Sequence, residues 1–234
     1  MITGHRGAAS LAPENTLVSI EQAAKAGVHW VEIDVQLSAD DVPMVFHDKT
    51  VNRCTNGEGN IADLDLNTLK TLDAGGWFGS EFVGVSIPTL SEALDKCLEL
   101  DLTLNLELKI YEEKAIIPLV NQVISLIKSK QFPLDRLLIS SFKVDALRLC
   151  KELMPQIRRG YICEVWDESN AGLLQDLALY SVHIDHQKLD EKTAKSIKTL
   201  GVMLKIWTLN DAQQAAKFYA LGVDNIITDI PNKF

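Results

Sequence analysis

Residues 202–229, VMLKIWTLNDAQQAAKFYALGVDNIITD, consist of a strand-like run, a helix-like run and a second strand-like run. The outer runs are rich in apolar and β-branched residues, whereas the middle run is built from residues that favour helix, such as Ala, Gln and Lys. Two strands joined by such a crossover helix lie parallel in one sheet. This segment therefore predicts one strand–helix–strand unit of a parallel sheet.

The same alternation continues along the rest of the chain. It gives eight strand-then-helix units, the last of which has only its strand, if the run PMVFH at 43–47 is counted as an offshoot of the strand before it. The predicted strands are residues 1–5, 30–38, 102–109, 136–142, 157–163, 180–185, 202–209 and 224–229. The predicted helices are residues 17–27, 90–100, 112–130, 144–153, 169–179, 191–201 and 212–222. Eight such units in a chain of this length predict an α/β fold, a closed (β/α)₈ TIM barrel.

One stretch, residues 48–88, interrupts the alternation. It contains TNGEGN and DAGGWFG and has few periodic signals, and it is longer than a typical loop between a strand and a helix. We therefore expect a single TIM-barrel domain over residues 1–234, with residues 48–88 as a small cap insertion after the second strand.

Composition narrows the range of partners. The chain of 234 residues is 47% hydrophobic and 24% charged, and its net charge is −9. No basic run attracts nucleic acid, and no apolar stretch approaches the roughly 18 residues of a membrane span.

The four cysteines, at 54, 97, 150 and 163, have no regular spacing, which predicts reduced thiols and a cytoplasmic protein. An anionic substrate would require a metal ion or a few cations at its binding site.

Two predicted strands carry acidic side chains in an alternating pattern. In VEIDVQ at 31–36 the alternation places Glu32 and Asp34 on one face, and in LNLELK at 104–109 it gives Glu107 a similar position. Half-exposed strands of an antiparallel sheet show the same pattern on their solvent face. Within a barrel, however, the three carboxylates converge near the strand ends, where barrel active sites lie.

These carboxylates indicate a metal site, and two histidines accompany them. Carboxylates that converge repel one another unless a cation or protons neutralise them, and oxygen ligands alone select a hard ion such as Mg²⁺ or Ca²⁺. His5 and His47 each end a short strand at a matching depth. A lone histidine is usually structural, but two imidazoles that flank a metal can act as general acid and general base.

Cationic and aromatic candidates complete the predicted site. Arg6 suits a phosphate oxygen, although a salt bridge to Glu14 is an alternative role. Lys109 lies on the same face as the carboxylates and pairs either with them or with substrate. Trp207 is either a core residue or a platform at the barrel mouth.

The cluster His183, Asp185 and His186 resembles a ligand set. Alternation sends His186 to the opposite face from the other two, so we expect capping or packing at the barrel rim instead of metal binding.

The motifs resemble those of the glycerophosphodiester phosphodiesterase family, most closely its small cytosolic bacterial type. The resemblance runs nearly end to end and rests on HRGAASLAPENT, VEIDVQLSADDVPMVFHD, LDAGGWFG, IPTL, LNLELK, SSF, IWTLND and GVDNIITDIP. It implies metal ligation by Glu32, Asp34 and Glu107, acid and base roles for His5 and His47, and phosphate contacts by Arg6 and Lys109. The sequence departs from the family pattern at Ala8 and Ala9, at Leu106 and Leu108, and in its short insertion.

The activity that this resemblance implies is metal-dependent hydrolysis of glycerophosphodiesters, such as glycerophosphocholine and glycerophosphoethanolamine, to sn-glycerol 3-phosphate and an alcohol. One hard divalent cation is expected, Mg²⁺ first and Ca²⁺ or Mn²⁺ otherwise. The alternative substrates are lysolipids, cleaved as by a lysophospholipase D. A metal-dependent lyase and a non-catalytic binding module on the same fold are two rival functions.

Overall fold

The computed structural model describes all 234 residues and contains nine strands. They are β1 (Ile2–Gly4), β2 (Trp30–Leu37), β3 (Pro43–Val45), β4 (Thr103–Leu108), β5 (Leu137–Ser141), β6 (Arg158–Cys163), β7 (Ser181–Asp185), β8 (Met203–Trp207) and β9 (Asn225–Thr228). All except β3 run parallel in one sheet, which closes because β1 pairs with both β2 and β9. The predicted eight-stranded barrel is therefore confirmed. The PMVFH offshoot is β3, which pairs antiparallel with β2.

Eight α-helices connect these strands. They are α1 (Leu17–Lys25), α2 (Leu66–Thr71), α3 (Leu90–Glu99), α4 (Ile116–Lys130), α5 (Val144–Leu153), α6 (Ala171–Asp176), α7 (Glu191–Thr199) and α8 (Ala215–Ala220). Several begin at the caps that their sequences encode. Thr16 with Ser19 and Thr89 with Glu92 form reciprocal capping boxes at the starts of α1 and α3. None of the helices is both long and apolar enough to cross a membrane.

The hydrophobic core lies mainly between the barrel strands and the surrounding helices. On β2, the side chains of Val31, Ile33 and Val35 are buried in this layer. The alternate side chains of the same strand therefore point into the barrel. All four cysteines are buried and unpaired.

The insertion, residues 48–88, has its own small core. Val51, Cys54, Ile61, Leu69 and Ala74 pack together beside β3, apart from the two larger clusters of the barrel. The segment also contains α2, which periodicity does not predict. The insertion is therefore a packed appendage of the barrel and not an extended loop.

Candidate active site

The three predicted carboxylates meet at one end of the barrel. In the parallel register of β2 and β4, Asp34 lies beside Glu107 and Glu32 lies beside Asn105. One oxygen atom of each of Glu32, Asp34 and Glu107 lies within 4.8 Å of the others. The alternation of two neighbouring strands is thus sufficient to assemble this group, which we call the carboxylate triad.

The triad carries more negative charge than its surroundings neutralise. Burial, together with the charges of Asp34 and Glu107, raises the pKa of Glu32 well above its usual range. Burial and Asp34 raise the pKa of Glu107 to about 7. Burial alone would raise the pKa of Asp34 as well, but Lys109 and Arg6 outweigh it and hold that pKa below the usual range.

The donor set of the triad fits a hard divalent cation. All of its donor atoms are carboxylate oxygens, the ligands that Mg²⁺ and Ca²⁺ prefer. The Oε1 atom of Glu32 is buried and has no hydrogen-bond partner in the protein. A buried charged oxygen without a partner is unfavourable, and a bound cation would satisfy it.

A strained turn after β1 brings His5 and Arg6 to the triad. Arg6 has a φ of +48° and Gly7 a φ of +87°, both in the left-handed region. A Cβ atom on Gly7 would lie 2.2 Å from Oγ of Ser19, so only glycine fits the close approach of this turn to α1. The turn directs the main-chain N–H of Arg6 at Oε2 of Glu32, 2.9 Å away.

Asn15 fixes the position of Asp34 with two hydrogen bonds. Its Nδ2 donates to Oδ2 of Asp34 at 2.9 Å, and its Oδ1 accepts from the main-chain N–H of Asp34 at 3.1 Å. Asn15 belongs to the PENT motif, yet the sequence gives no indication of this contact. Asn15 therefore orients one carboxylate of the triad.

Each of the two histidines is paired with a carboxylate through Nδ1. The Nδ1 atom of His5 lies 2.6 Å from Oδ1 of Asp229, and that of His47 lies 2.6 Å from Oδ1 of Asp48. Because a carboxylate only accepts, Nδ1 donates in both pairs, and Nε2 is left to exchange a proton in the site. Nε2 of His5 lies 3.9 Å from Oε2 of Glu32.

The two pairs differ in how their carboxylates are held. Asn210 donates to Oδ2 of Asp229 at 2.6 Å. Asp48 accepts from Arg53 through both of its oxygens, and these hydrogen bonds lower its pKa to about 2. Burial lowers the pKa of His47. Both carboxylates are therefore fixed, one by an amide and one by a guanidinium group.

The two predicted phosphate contacts lie beside the triad and are engaged with carboxylates. Nη1 of Arg6 lies 2.6 Å from Oε1 of Glu14, so the predicted salt bridge exists. Nζ of Lys109 lies 2.6 Å from Oε1 of Glu107 and 3.4 Å from Oδ1 of Asp34. Both side chains also face the same cavity, where an anion would meet positive charge.

A cavity of about 180 Å³ lies between these groups at the C-terminal ends of the strands. Its lining residues are His5, Arg6, Glu32, His47, Asn105, Glu107, Lys109, Phe142, Ile162, His183, Trp207, Thr208 and Ile227. Trp207 and Phe142 form one apolar wall, with ring centroids 5.8 Å apart and nearly perpendicular planes. Trp207 therefore lines the cavity at the mouth. The cavity combines a charged side with an apolar side.

A wider groove of about 410 Å³ adjoins this cavity. The outer groove, as we call it, shares His5 and Arg6 with the cavity and is also lined by Trp77 and Phe78 of the insertion. Trp77 is 41% exposed. The insertion thus brings aromatic side chains next to the catalytic candidates.

The expectation of rim packing for His183 was wrong. His183 is buried inside the barrel, where its Nε2 lies 2.8 Å from Oγ of Ser181. It fits there because the neighbouring strand has Gly160, whose Cβ would lie 2.7 Å from Nε2. The capping expectation is confirmed for Asp185, which accepts from the N–H of Gln187. Neither residue belongs to the carboxylate triad.

Asp229 and Asn210 are site residues that were not predicted from the sequence. They lie in the quoted segments GVDNIITDIP and IWTLND, but they reach His5 only because the barrel closes between β9 and β1. Asp48 was recognisable as the neighbour of His47. Its pairing with Arg53 was not.

Comparisons with known proteins agree with this geometry. Residues 5–233 match the Glycerophosphoryl diester phosphodiesterase family. A glycerophosphodiester phosphodiesterase of Caldanaerobacter subterraneus is 35% identical over 234 residues, which cover 99% of this chain and 94% of the relative. A phosphodiesterase of Oleispira antarctica, solved in complex with the product sn-glycerol-3-phosphate, has a TM-score of 0.96 and 38% identity, covering 100% and 94% of the two chains. A glycerophosphodiester phosphodiesterase of Agrobacterium tumefaciens has a TM-score of 0.84 and 27% identity, covering 100% and 97%.

Proposed function

Because this chain belongs to the glycerophosphoryl diester phosphodiesterase family and is a glycerophosphodiester phosphodiesterase, we propose that it hydrolyses small, deacylated glycerophosphodiesters with the help of a divalent cation. The substrates include glycerophosphocholine and glycerophosphoethanolamine, and the products are sn-glycerol 3-phosphate and an alcohol. The observation that carries this proposal is that one cavity is lined by two carboxylates of the triad, Glu32 and Glu107, by both carboxylate-paired histidines and by two cationic side chains. We also propose a single domain, with the insertion as its cap.

Glu32, Asp34 and Glu107 hold the cation, which is Mg²⁺ or, alternatively, Ca²⁺ or Mn²⁺. When bound, such a cation polarises a phosphoryl oxygen and offsets the charge of the carboxylates. The unsatisfied Oε1 of Glu32 and the raised pKa of Glu32 and Glu107 support this assignment. Arg6 and Lys109 add two positive charges beside the phosphate.

His5 and His47 move the two protons of the reaction. One imidazole takes a proton from the nucleophile, which is either water or the 2-hydroxyl of the glycerol moiety. The other donates a proton to the departing alkoxide as its bond to phosphorus breaks. Asp229 and Asp48 hold each ring with Nδ1 protonated, so Nε2 is the atom that exchanges protons at the cavity. Both histidines suit either role, and the two nucleophiles differ in whether a cyclic phosphate forms first.

We expect glycerophosphocholine and glycerophosphoethanolamine to yield the same phosphorylated product. Arg6 and Lys109 line the cavity together with Glu32 and Glu107, and these charged side chains suit the glycerol phosphate half of the substrate. The more open outer groove suits a variable alcohol. An assay coupled to glycerol-3-phosphate dehydrogenase measures this product directly. Phosphocholine as the product would place the cleavage on the other side of phosphorus and contradict the proposal. Faster turnover of lysophosphatidylcholine would retain the chemistry but favour lysolipids as substrates.

Trp77 provides an apolar surface for the leaving alcohol in this proposal. Its indole lines the outer groove and packs edge-on against Phe78, with centroids 5.6 Å apart. We expect Trp77→Ala to lower kcat/KM for glycerophosphocholine about 2- to 10-fold, the weight of one aromatic contact, mainly through KM. Val83→Ala is a suitable control, because Val83 is exposed in the same insertion but does not line the groove. An unchanged KM in Trp77→Ala would remove this residue from substrate binding.

A further inference from the structure

His47 lies on a segment whose main-chain carbonyls have no main-chain donors. After β3 ends at Val45, the carbonyl oxygens of Phe46, His47 and Asp48 receive no hydrogen bond from any main-chain N–H. His5, in contrast, is held by its main chain: its N–H donates to Thr228 and its carbonyl accepts from Ala9. The N–H of Phe46 donates to the carbonyl of Asp34 at 3.1 Å, but the three carbonyls of the segment 46–48 depend on side chains for their hydrogen bonds.

Two side chains supply the missing donors. Nε2 of Gln36 lies 3.0 Å from the carbonyl oxygen of Phe46, 3.4 Å from that of His47 and 2.7 Å from that of Asp48. The hydroxyl of Tyr111 donates to the carbonyl oxygen of His47 at 2.5 Å. All three carbonyls are thus held by only two residues.

Both donors lie on or directly after the strands that carry the carboxylate triad. Gln36 is on β2, two residues after Asp34, and its side chain is buried. Tyr111 follows β4 by three residues and is 44% exposed. Hydrogen bonds from these two elements therefore fix the main chain of His47 and Asp48 relative to the triad.

We propose that Gln36 and Tyr111 are positioning residues for His47. The His47–Asp48 pair is formed by adjacent residues, so a rotation of their shared peptide moves both partners and the distance between them. Tyr111 holds the carbonyl of that peptide, and Gln36 holds the carbonyls of Phe46 and Asp48 on either side of it, so the two residues together oppose the rotation. A displacement of about 1 Å of a catalytic group costs on the order of 10²-fold in rate. The inference depends on the proposed role of His47 in proton transfer.

The test combines Gln36→Met and Tyr111→Phe with removal of each histidine. Methionine keeps the length of Gln36 without its donor, and phenylalanine removes only the hydroxyl of Tyr111. With glycerophosphocholine we expect kcat to fall about 10- to 100-fold in Gln36→Met, by less in Tyr111→Phe, and KM to change less than about 2-fold in both. In a His47→Ala background the same substitutions should lower kcat less than about 2-fold, because the group that they position is gone. In a His5→Ala background they should lower kcat by the same factor as in the parent.

Two matched variants control for loss of a similar group elsewhere. Gln214→Met and Tyr219→Phe remove an exposed amide and an exposed hydroxyl that donate to Asp211 and to the carbonyl of Met1. Both should keep the parental kcat. Thermal unfolding of every variant identifies any that fails to fold. If Gln36→Met fails to fold, Tyr111→Phe provides the decisive comparison, because it removes a single atom from an accessible side chain.

Each other outcome contradicts the inference in a distinct way. An unchanged kcat in both single variants, or an equal loss in the His47→Ala background, would show that Gln36 and Tyr111 do not act through His47. A parental rate in His47→Ala alone would overturn the proposed role of His47, and this inference with it.

Discussion

Glu32→Gln is expected to lower kcat/KM for glycerophosphocholine by about 10³-fold and to weaken binding of the divalent cation. A metal ion contributes several kcal/mol of transition-state stabilisation, and each 1.4 kcal/mol corresponds to about a tenfold change in rate. Glutamine keeps the shape of Glu32 and can still accept from the main-chain N–H of Arg6. It replaces the buried, unpartnered Oε1 with an amide that cannot ligate as an anion. The loss would therefore come from the metal site and not from the turn after β1.

The measurement pairs the variant with removal of the metal. Excess chelator should abolish turnover of the parent, and Mg²⁺, Ca²⁺ or Mn²⁺ should restore it. Elemental analysis of the parent and of Glu32→Gln should show less metal in the variant. Glu99→Gln is the control, because Glu99 is an exposed residue of α3 that pairs only with Lys96. Full activity in excess chelator, with no metal in the protein, would contradict a metal site at the triad.

Thermal unfolding separates this effect from loss of structure. In the metal-free protein Glu32 is buried beside the carboxylates of Asp34 and Glu107, and their repulsion destabilises the folded state. A neutral glutamine relieves that repulsion, so metal-free Glu32→Gln should unfold at or above the temperature of the metal-free parent. A variant that is inactive because it is unfolded would instead show no unfolding transition, or one at a lower temperature than that of the metal-free parent.

The triad could be predicted from sequence because its assembly is local to two neighbouring strands. Period-two alternation places Glu32 and Asp34 on one face of β2, and parallel pairing brings Glu107 of β4 alongside. No long-range information is needed beyond the expectation of a parallel sheet. The eight strands were predictable for a similar reason, since each is a short apolar run and all but the last precede a predicted helix.

The pair of His5 and Asp229 could not be predicted in this way. The two residues are 224 positions apart and meet only because β9 pairs with β1 at the closure of the barrel. Alternation also gives the direction of a side chain but not the space available to it. His183 lies inside the barrel because Gly160 on the neighbouring strand leaves room for its ring, and that relation requires the register between β6 and β7.

Within the insertion, periodicity is a weak signal because the elements are short. Helix α2 has six residues, less than two turns, so its apolar residues cannot establish a period. The structure shows how its first turn is capped. Asp65 accepts from the N–H of Thr68 at 2.8 Å as an N-cap, a role for which aspartate is among the preferred residues.

His5→Ala and His47→Ala are each expected to lower kcat by about 10² to 10⁴-fold while the fold persists. Both rings lie at the cavity in contact with a carboxylate, and neither belongs to the hydrophobic clusters of the core. Truncation therefore removes the proposed proton-transfer group without opening a cavity in the core. Steady-state kinetics with glycerophosphocholine, together with thermal unfolding, measures both parts of this expectation. His29→Ala provides the matched control, since His29 precedes β2 and does not line the cavity.

The two variants should also differ in their response to the leaving group, because in the proposed mechanism only one histidine protonates the departing alkoxide. A substrate with an acidic leaving alcohol, such as a p-nitrophenyl ester of glycerol 3-phosphate, needs little protonation as its bond to phosphorus breaks. The variant that lacks the general acid should therefore recover much of its rate on this substrate, whereas the variant that lacks the general base should remain slow. The comparison assigns the two roles, which the similar pairing of His5 with Asp229 and of His47 with Asp48 leaves symmetric. A parental rate on glycerophosphocholine in either variant would exclude that histidine from proton transfer, and equal losses on both substrates in both variants would exclude general-acid catalysis by either ring.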